Sequence, residues 1–294
     1  MKLILSRKGF DTSAGGVPNP ILPDGRLLAL PIPDAQSVMP YEAITQQGEP
    51  LGPLVQDLTR GRVSPSHGAH LDPDLRADQH PRPAGWTPLF GQRGAAQSHL
   101  RNQGVGAGDL FLFFGLFRPV ERVDGGWRFV PEARPRHLLW GWLQVGEALT
   151  LGDHLPAGLE WAAEHPHCQR IGEARNALYI ARHALALPDG EGGGLPGAGI
   201  FPGETPRQRL TAPDAETVSQ WRLPGWWHPG EGRAPLSYHA DPGRWGRRGD
   251  EVALQAVARG QEFVLDADQY PEAIPWAREL IREHGALEQG ARSG

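Results

Sequence analysis

The sequence predicts an α+β protein with a β-rich central sheet or partial barrel, long loops rich in glycine and proline, and helices toward the C-terminus. The 294 residues include 10 Trp and 9 Phe, which supply enough aromatic surface for a large core. The 39 Gly and 29 Pro predict many turns and long loops. Apolar runs typical of strands occupy the middle of the chain, and helix patterns bounded by Pro and Gly lie near its end.

The first predicted element is a strand at residues 2–5, where a short apolar run leads into a polar loop around Gly9. The paired glycines and prolines of residues 15–20 cannot continue regular structure. From residue 64 to residue 108, the chain is rich in Gly, Pro, His and Arg and has no clear periodicity. We therefore expect a long loop there.

The central segment predicts three strands of one sheet, inside a β-rich region at 105–185. Their apolar runs fall at 110–114, 127–130 and 138–146, and a further strand is predicted at 177–181. Apolarity is continuous rather than alternating in the first run. That pattern is typical of a strand covered on both faces.

The region 205–285 is interpreted as mainly helical. Helices are predicted at 214–221, 251–259 and 270–284, because Pro or Gly stands where helix ends favour them. A strand is expected between the last two helices. We interpret residues 1–294 as one domain.

The charge balance and cysteine content limit the partners and the compartment. The net charge of −5 provides no global field that would attract duplex DNA or an anionic membrane. Any contact with phosphate must then be local. The single cysteine, the absence of a basic and apolar leader and the absence of a long apolar run predict a cytoplasmic protein with no membrane partner.

The first candidate site is the loop after the first strand. Arg7, Lys8 and Ser13 combine cations and a hydroxyl with nearby glycines, a chemistry suited to binding phosphate or another ligand anion. Asp11 in the same loop is a candidate catalytic residue. The spacing matches no Walker loop. The alternative is an ordinary strand exit in which Asp11 closes a turn.

The second candidate site consists of two histidine-containing segments, which supply candidate catalytic residues His70, Asp72, His165 and His167. If both segments are extended, the period of two places His70 with Asp72 and His165 with His167. If the segments also converge, two imidazoles and a carboxylate form the ligand set of non-haem iron and some zinc sites. Standard zinc motifs are absent. A metal-free polar cluster is therefore favoured, and any cofactor would be a divalent metal at these residues.

The third candidate site is a group of residues that could contact a nucleic-acid base. Arg118 and Asn176 occur among aromatic residues such as Trp140, and such a mixture could stack a base and bind its edge. His239 lies in another aromatic and basic segment and is a further ligand candidate. The alternative is that these aromatics belong to the core.

Several blocks resemble the nucleotide modification associated domain 3 family over residues 2–281: SRKGFDTSAGGVPNPILPDG, HLDPDL, HPHCQRIGEARNALYIA and LSYHADPGRW. The resemblance implies an α+β domain associated with DNA base modification in bacteria and phages. Matching positions are Arg7, Lys8, Asp11 and Ser13 in the opening block, and His70, Asp72, His165, His167 and Asn176 in later ones. The resemblance carries over no role for any one of them, so they are candidates.

The strand pattern of residues 108–146 also resembles the small barrels of the EVE and ASCH groups, which hold modified bases or RNA. This likeness implies a PUA- or EVE-like barrel with Arg118 and Trp140 near a base-sized cavity. The leading hypothesis is a protein that recognises or processes a modified base in a nucleotide or in DNA. The alternatives are a hydrolase or nuclease that uses the His and Asp residues, and a non-catalytic module that binds a modified base.

Overall fold

The computed structural model describes residues 1–188, 190, 193–230, 232–258, 260 and 262–285. Across these residues the protein has a mixed α+β fold, in which a large mixed sheet curls into a half-barrel. The α+β fold class predicted from the sequence is confirmed. The three α-helices of the described residues are α1 (Leu51–Leu58), α2 (Gly94–Asn102) and α3 (Ala273–His284).

The strands are numbered in chain order. They are β1 (Lys2–Arg7), β2 (Asn19–Ile21), β3 (Ile32–Pro33), β4 (Thr45–Gln46), β5 (Glu49–Pro50), β6 (Ala69–His70), β7 (Leu89–Arg93), β8 (Leu110–Val123), β9 (Gly126–Phe129), β10 (Arg136–Leu151), β11 (Asn176–Ala181), β12 (Ala198–Ile200), β13 (Gln220–Pro224), β14 (Trp245–Arg248), β15 (Glu251–Gln255) and β16 (Glu262–Asp266).

The main sheet has nine strands, and its principal order is β16-β1-β8-β10-β11-β7. Strand β1 pairs parallel with β8 and antiparallel with β16, and the remaining neighbours in this order are antiparallel. Strands β2 and β9 extend the sheet along β8, and β12 pairs with β10. A separate three-stranded sheet has the order β13-β15-β14.

Strand β8 is covered on both faces, as its continuous apolar run predicts. Leu110, Leu112 and Phe114 pack into one hydrophobic cluster with α3 and the three-stranded sheet. Phe111 and Phe113 point the other way, into a second cluster beneath β10 and β11. The three central strands predicted from the sequence, now β8, β9 and β10, do belong to one sheet.

The prediction of a helical C-terminal region is wrong for two of its three helices. Helix α3 and strand β16 occur as expected. In the second predicted helix, residues 251–255 form strand β15, residues 256–258 are irregular, and Arg259 lies outside the described residues. Glu, Ala, Leu and Gln favour helices, yet Val252 and Leu254 alternate with more exposed neighbours and are fully buried between β13 and β14. Tertiary burial therefore outweighs local propensity.

The other predicted helix, at residues 214–221, is a turn that leads into β13. The Gln220 side chain accepts hydrogen bonds from the backbone N–H groups of Glu216 and Thr217, which holds the turn. The predicted loop at 64–108 is also only partly irregular, because it contains β6, β7 and α2. In the part of the chain that the structure describes, no helix has the length and apolarity needed to span a membrane.

Candidate functional site

An open cleft lies where the loop after β1 meets the ends of β6 and β7. Its volume is about 1030 Å³, which is at the upper end of the usual range for ligand sites, about 300–1,000 Å³. The predicted site residues that line it are Arg7, Lys8, Asp11, Ser13, His70, Asp72 and His167. The first two candidate sites of the sequence analysis therefore border one cleft.

The loop after β1 is held in place by the buried amide of Asn19. Its Oδ1 accepts hydrogen bonds from the N–H groups of Phe10 and Leu30, and its Nδ2 donates to the carbonyls of Phe10 and Leu116. Gly9 has a φ of +91°, and a Cβ there would lie 2.8 Å from Asn19 Oδ1. A glycine is thus required where the strand turns into the cleft.

Asp11 and Ser13 interact mainly with each other. The Asp11 carboxylate accepts hydrogen bonds of 2.7 Å from the Ser13 N–H, the Ser13 hydroxyl and the Ala14 N–H. This is the local turn that the sequence left open as an alternative. The amide groups that could have bound an anion are therefore taken by the chain's own carboxylate.

The two cations of the loop differ in how they are paired. Lys8 forms a buried ion pair with Glu262, with 3.1 Å between Nζ and Oε1, and its ammonium also lies 4.4 Å from the centre of the Phe90 ring. Arg7 donates from Nη2 to the carbonyls of Ala258 and Gly260. Among the described residues no acidic side chain forms a direct ion pair with Arg7, although burial lowers the pKa of Arg7 and the charge of the nearby Asp11 carboxylate acts against that larger effect.

Asp72 is the centre of the histidine cluster. Its side chain is only 4% exposed. One carboxylate oxygen, Oδ1, accepts a 2.6 Å hydrogen bond from the N–H of Gly91 and lies 3.3 Å from Nε2 of His165. The other, Oδ2, lies 3.8 Å from Nε2 of His70 and 3.7 Å from Nε2 of His167.

The pKa of the Asp72 carboxyl is lowered. Burial alone would raise it, but the hydrogen bond from His165 and the electrostatic influence of the three surrounding histidines outweigh that effect. Asp72 is therefore a carboxylate at neutral pH. A buried carboxylate is costly unless it is compensated, which explains why three imidazoles surround it.

His70 is oriented by Asp34, a residue that the sequence analysis missed. Its Nδ1 lies 2.8 Å from Asp34 Oδ2, and Arg170 also donates to the Asp34 carboxylate at 2.8 Å. The hydrogen bond with His70 lowers the pKa of Asp34, with further help from Arg170 against the opposing effect of burial. Because an ionised carboxylate can only accept, His70 must carry a proton on Nδ1.

His167 is oriented in the same sense by Asn176. The distance from His167 Nδ1 to Asn176 Oδ1 is 2.6 Å, and Asn176 Nδ2 donates to the carbonyls of His167 and Arg170. Two carbonyl partners fix the amide orientation, so His167 Nδ1 must be the donor. Burial is the main cause that lowers the pKa of His167 to about 4, so the ring is neutral at neutral pH.

His165 lies behind the cluster and does not line the cleft; it lines a separate cavity of about 20 Å³. Its Nδ1 accepts a hydrogen bond from the His167 N–H at 3.3 Å, which leaves Nε2 to face Asp72. The condition of an extended segment is not met at residues 165–167, because they form a turn in which His167 has φ −72° and ψ −29°. The turn still presents both rings to Asp72.

The predicted base contacts lie elsewhere in the fold. Arg118 donates to the carbonyls of Val130 and Pro131 and does not line the cleft. Trp140 borders a separate cavity of about 30 Å³, room for one water rather than a base. Both ring nitrogens of His239 bond to backbone, at the Ser237 carbonyl and the Val257 N–H, within a hydrophobic cluster. Structural roles thus account for these contacts.

Three donor atoms of the cluster could hold a metal ion. Ligand atoms of His70, Asp72 and His167 all lie within 4.8 Å of one another. Sequence reasoning had considered this set and favoured a metal-free cluster, since the pattern gave no sign of convergence. Asp34 and Arg170 were not identified from the sequence. The only sequence feature that pointed to Arg170 was its place in the same segment as His165 and His167.

Fold and site together define an α+β protein with an open polar cleft and a buried His/Asp cluster at its wall. The chain belongs to the nucleotide modification associated domain 3 family, whose sequence profile matches residues 2–266. The family description associates the chain with nucleotide modification. Neither the curated proteins nor the solved structures include a significant match.

Proposed function

We propose that the cleft binds a nucleotide, as a free molecule or as a single nucleotide displaced from DNA, and presents its base or sugar to the His/Asp cluster. The observation that carries the proposal is the convergence of Arg7, which forms no direct ion pair among the described residues, and Asp72 with its histidines on one cleft of about 1030 Å³. The family's association with nucleotide modification supports the same class of ligand.

The charges around the cleft favour a small anion over a long duplex. Arg170 and Arg93, which also line the cleft, are both paired with acidic residues, through Asp34 and Glu173. This leaves Arg7 as the arginine of the described lining that forms no direct ion pair, with Asp11 nearby. Duplex binding draws its affinity from many phosphate contacts. One phosphate beside one arginine fits a mononucleotide or a flipped nucleotide better.

Calorimetric titration of the full chain with deoxynucleoside 5′-monophosphates and with the matching nucleosides tests the proposal. A charged hydrogen bond contributes about 1.5–3 kcal/mol, so Arg7→Ala should weaken binding of the monophosphate by roughly 10- to 100-fold and leave the weaker nucleoside binding unchanged. Arg247→Ala is the matched control, because Arg247 is exposed on β14 and does not line the cleft. Equal affinities for phosphate and nucleoside forms, or no effect of Arg7→Ala, would contradict the proposal.

The His/Asp cluster favours a second candidate function, hydrolysis of the bound nucleotide. His167 is neutral at neutral pH and lies beside the Asp72 carboxylate, so its ring can accept a proton, with the weak basicity that its pKa of about 4 implies. Chromatography of the incubated nucleotide separates the two candidates. Turnover that is lost in His167→Ala supports hydrolysis, whereas binding that survives this substitution without turnover supports a non-catalytic module.

A further inference from the structure

The side chains of His70, Asp72 and His167 share an arrangement that hydrogen bonding within the protein does not complete. Each imidazole uses Nδ1–H toward a fixed acceptor, Asp34 for His70 and Asn176 for His167. Each ring then presents Nε2 to the same oxygen, Asp72 Oδ2, at 3.8 and 3.7 Å. Three atoms that can act as metal ligands thus face one another.

We propose that this triad binds one divalent first-row transition-metal ion through His70 Nε2, His167 Nε2 and Asp72 Oδ2. The inference does not depend on the proposed function, because it concerns the donor atoms alone. Two imidazoles and one carboxylate are the protein ligands of several catalytic zinc and non-haem iron sites.

The three donor atoms fit such an ion once they draw closer together. Bonds of about 2.0–2.1 Å to a tetrahedral zinc ion place its donor atoms roughly 3.3–3.4 Å apart. The two separations between Nε2 and Asp72 Oδ2, 3.7 and 3.8 Å, exceed this by a few tenths of an ångström, and all three donor atoms lie within 4.8 Å of one another. The side chains of His70 and His167 are only 14% and 3% exposed, so their rings must turn within a packed cluster to close the difference.

The outer shell is also that of a metal site. Metal-binding histidines commonly donate their second N–H to a carboxylate or carbonyl oxygen, which fixes the ring and its tautomer. Asp34 does this for His70, and Asn176 does it for His167. Asp72 Oδ1 is held by the Gly91 N–H and faces His165, so only Oδ2 remains directed at the two Nε2 atoms.

The position of the triad implies an open coordination site. His70, Asp72 and His167 all line the large cleft, so a ligand from solution can reach an ion held by them. Three protein ligands with a vacant position are typical of catalytic rather than structural sites. Arg7 lines the same cleft.

Titration of the chelator-treated full chain with Zn²⁺ tests the inference. We expect one ion per chain, and at least a 100-fold loss of affinity in His70→Ala and in His167→Ala. The matched control is His154→Ala, which removes an exposed histidine outside the cluster and should bind Zn²⁺ as the wild type does. Absence of stoichiometric binding, or unchanged affinity in His70→Ala, would overturn the inference.

Long-range ¹H–¹⁵N NMR spectra report the tautomer and zinc binding of each histidine in the wild-type protein. This second measurement tests the inference even if a variant fails to fold. Two rings should start as Nδ1–H tautomers, and their Nε2 resonances should shift when one equivalent of Zn²⁺ is added. A His70 ring found as an imidazolium that Zn²⁺ does not change would overturn the inference. Zinc binding without nucleotide binding would uphold the metal site and contradict only the proposed function.

Discussion

Asn176 fixes the tautomer of His167: it accepts a 2.6 Å hydrogen bond from Nδ1 and is itself oriented by donating to the carbonyls of His167 and Arg170. The neutral ring therefore has its free lone pair on Nε2, on the side of Asp72. This relationship makes Asn176 a positioning residue rather than a ligand.

Replacing Asn176 with leucine should weaken metal binding, because the ring would lose the acceptor that holds its tautomer. Loss of such an outer partner costs about 10- to 100-fold in metal affinity, which calorimetry with Zn²⁺ measures. Asn102→Leu, at an exposed position at the end of α2, is the control. An unchanged affinity in Asn176→Leu would show that the ring is held by other contacts.

Gly91 should not tolerate alanine. A Cβ at this position would lie 2.2 Å from Cδ2 of the His167 ring, so either the ring or strand β7 must move. We expect a loss of about 1–3 kcal/mol in the free energy of unfolding, together with weaker zinc binding. Urea denaturation measures the first effect. Gly152→Ala serves as the reference, since a Cβ there meets no atom within 4 Å; equal stabilities of the two variants would contradict the packing described.

Lys8 and Glu262 form an ion pair whose side chains are only 10% and 1% exposed. Removing one partner leaves an uncompensated buried group, so Lys8→Met and Glu262→Gln should each cost about 3–5 kcal/mol in the free energy of unfolding. The double variant should cost clearly less than the two single costs combined. Strict additivity in this urea-denaturation cycle would mean that the pair does not couple and that Lys8 is available to a ligand.

The stability should fall as the pH falls below about 6.5, in part because of His137. Burial, with a smaller contribution from the nearby charge of Arg7, lowers the pKa of His137 from 6.5 to about 3. Between these values the unfolded chain binds a proton that the folded protein does not, so the neutral ring stabilises the fold above pH 6.5 and this contribution is lost toward pH 3.

His137→Asn should make this acid sensitivity smaller. The asparagine can still accept the hydrogen bond that Trp221 Nε1 donates to Nδ1 of His137, but it does not titrate. We expect the slope of the unfolding free energy against pH, measured over roughly pH 5 to 6, to decrease by up to about 1.4 kcal/mol per pH unit. His154→Asn, at an exposed site, should keep the wild-type slope. Identical slopes in His137→Asn and the wild type would refute the assignment.

The sequence predicted the strands better than the C-terminal helices for a physical reason. The run around Phe113 is continuously apolar, which predicts a strand buried on both faces, and both faces are covered. Residues around Leu254 have good intrinsic helix propensity, but their alternating burial in β15 depends on partners distant in sequence. Such pairing cannot be derived from local propensity.

The sequence predicted the residue types of the candidate site but not the hydrogen-bond partners that orient them. His70, Asp72 and His167 were identified from chemistry and spacing, whereas Asp34 lies 36 residues from His70 and reaches it only through the pairing of β3 with β6. Arg118 and His239 were chosen on the same chemical grounds. Their side chains form hydrogen bonds with backbone groups rather than lining the cleft. Spacing alone cannot distinguish a polar side chain that faces a cleft from one that holds a loop.

The most direct test of the site is an anomalous-difference map from crystals of the full chain soaked with Zn²⁺ and a deoxynucleoside 5′-monophosphate. The arrangement of His70, Asp72 and His167 predicts one strong peak within bonding distance of both Nε2 atoms and Oδ2, with the nucleotide phosphate in the same cleft beside Arg7. A zinc peak at another position, or no peak at His70, Asp72 and His167 while other sites are fully occupied, would contradict the proposed metal site.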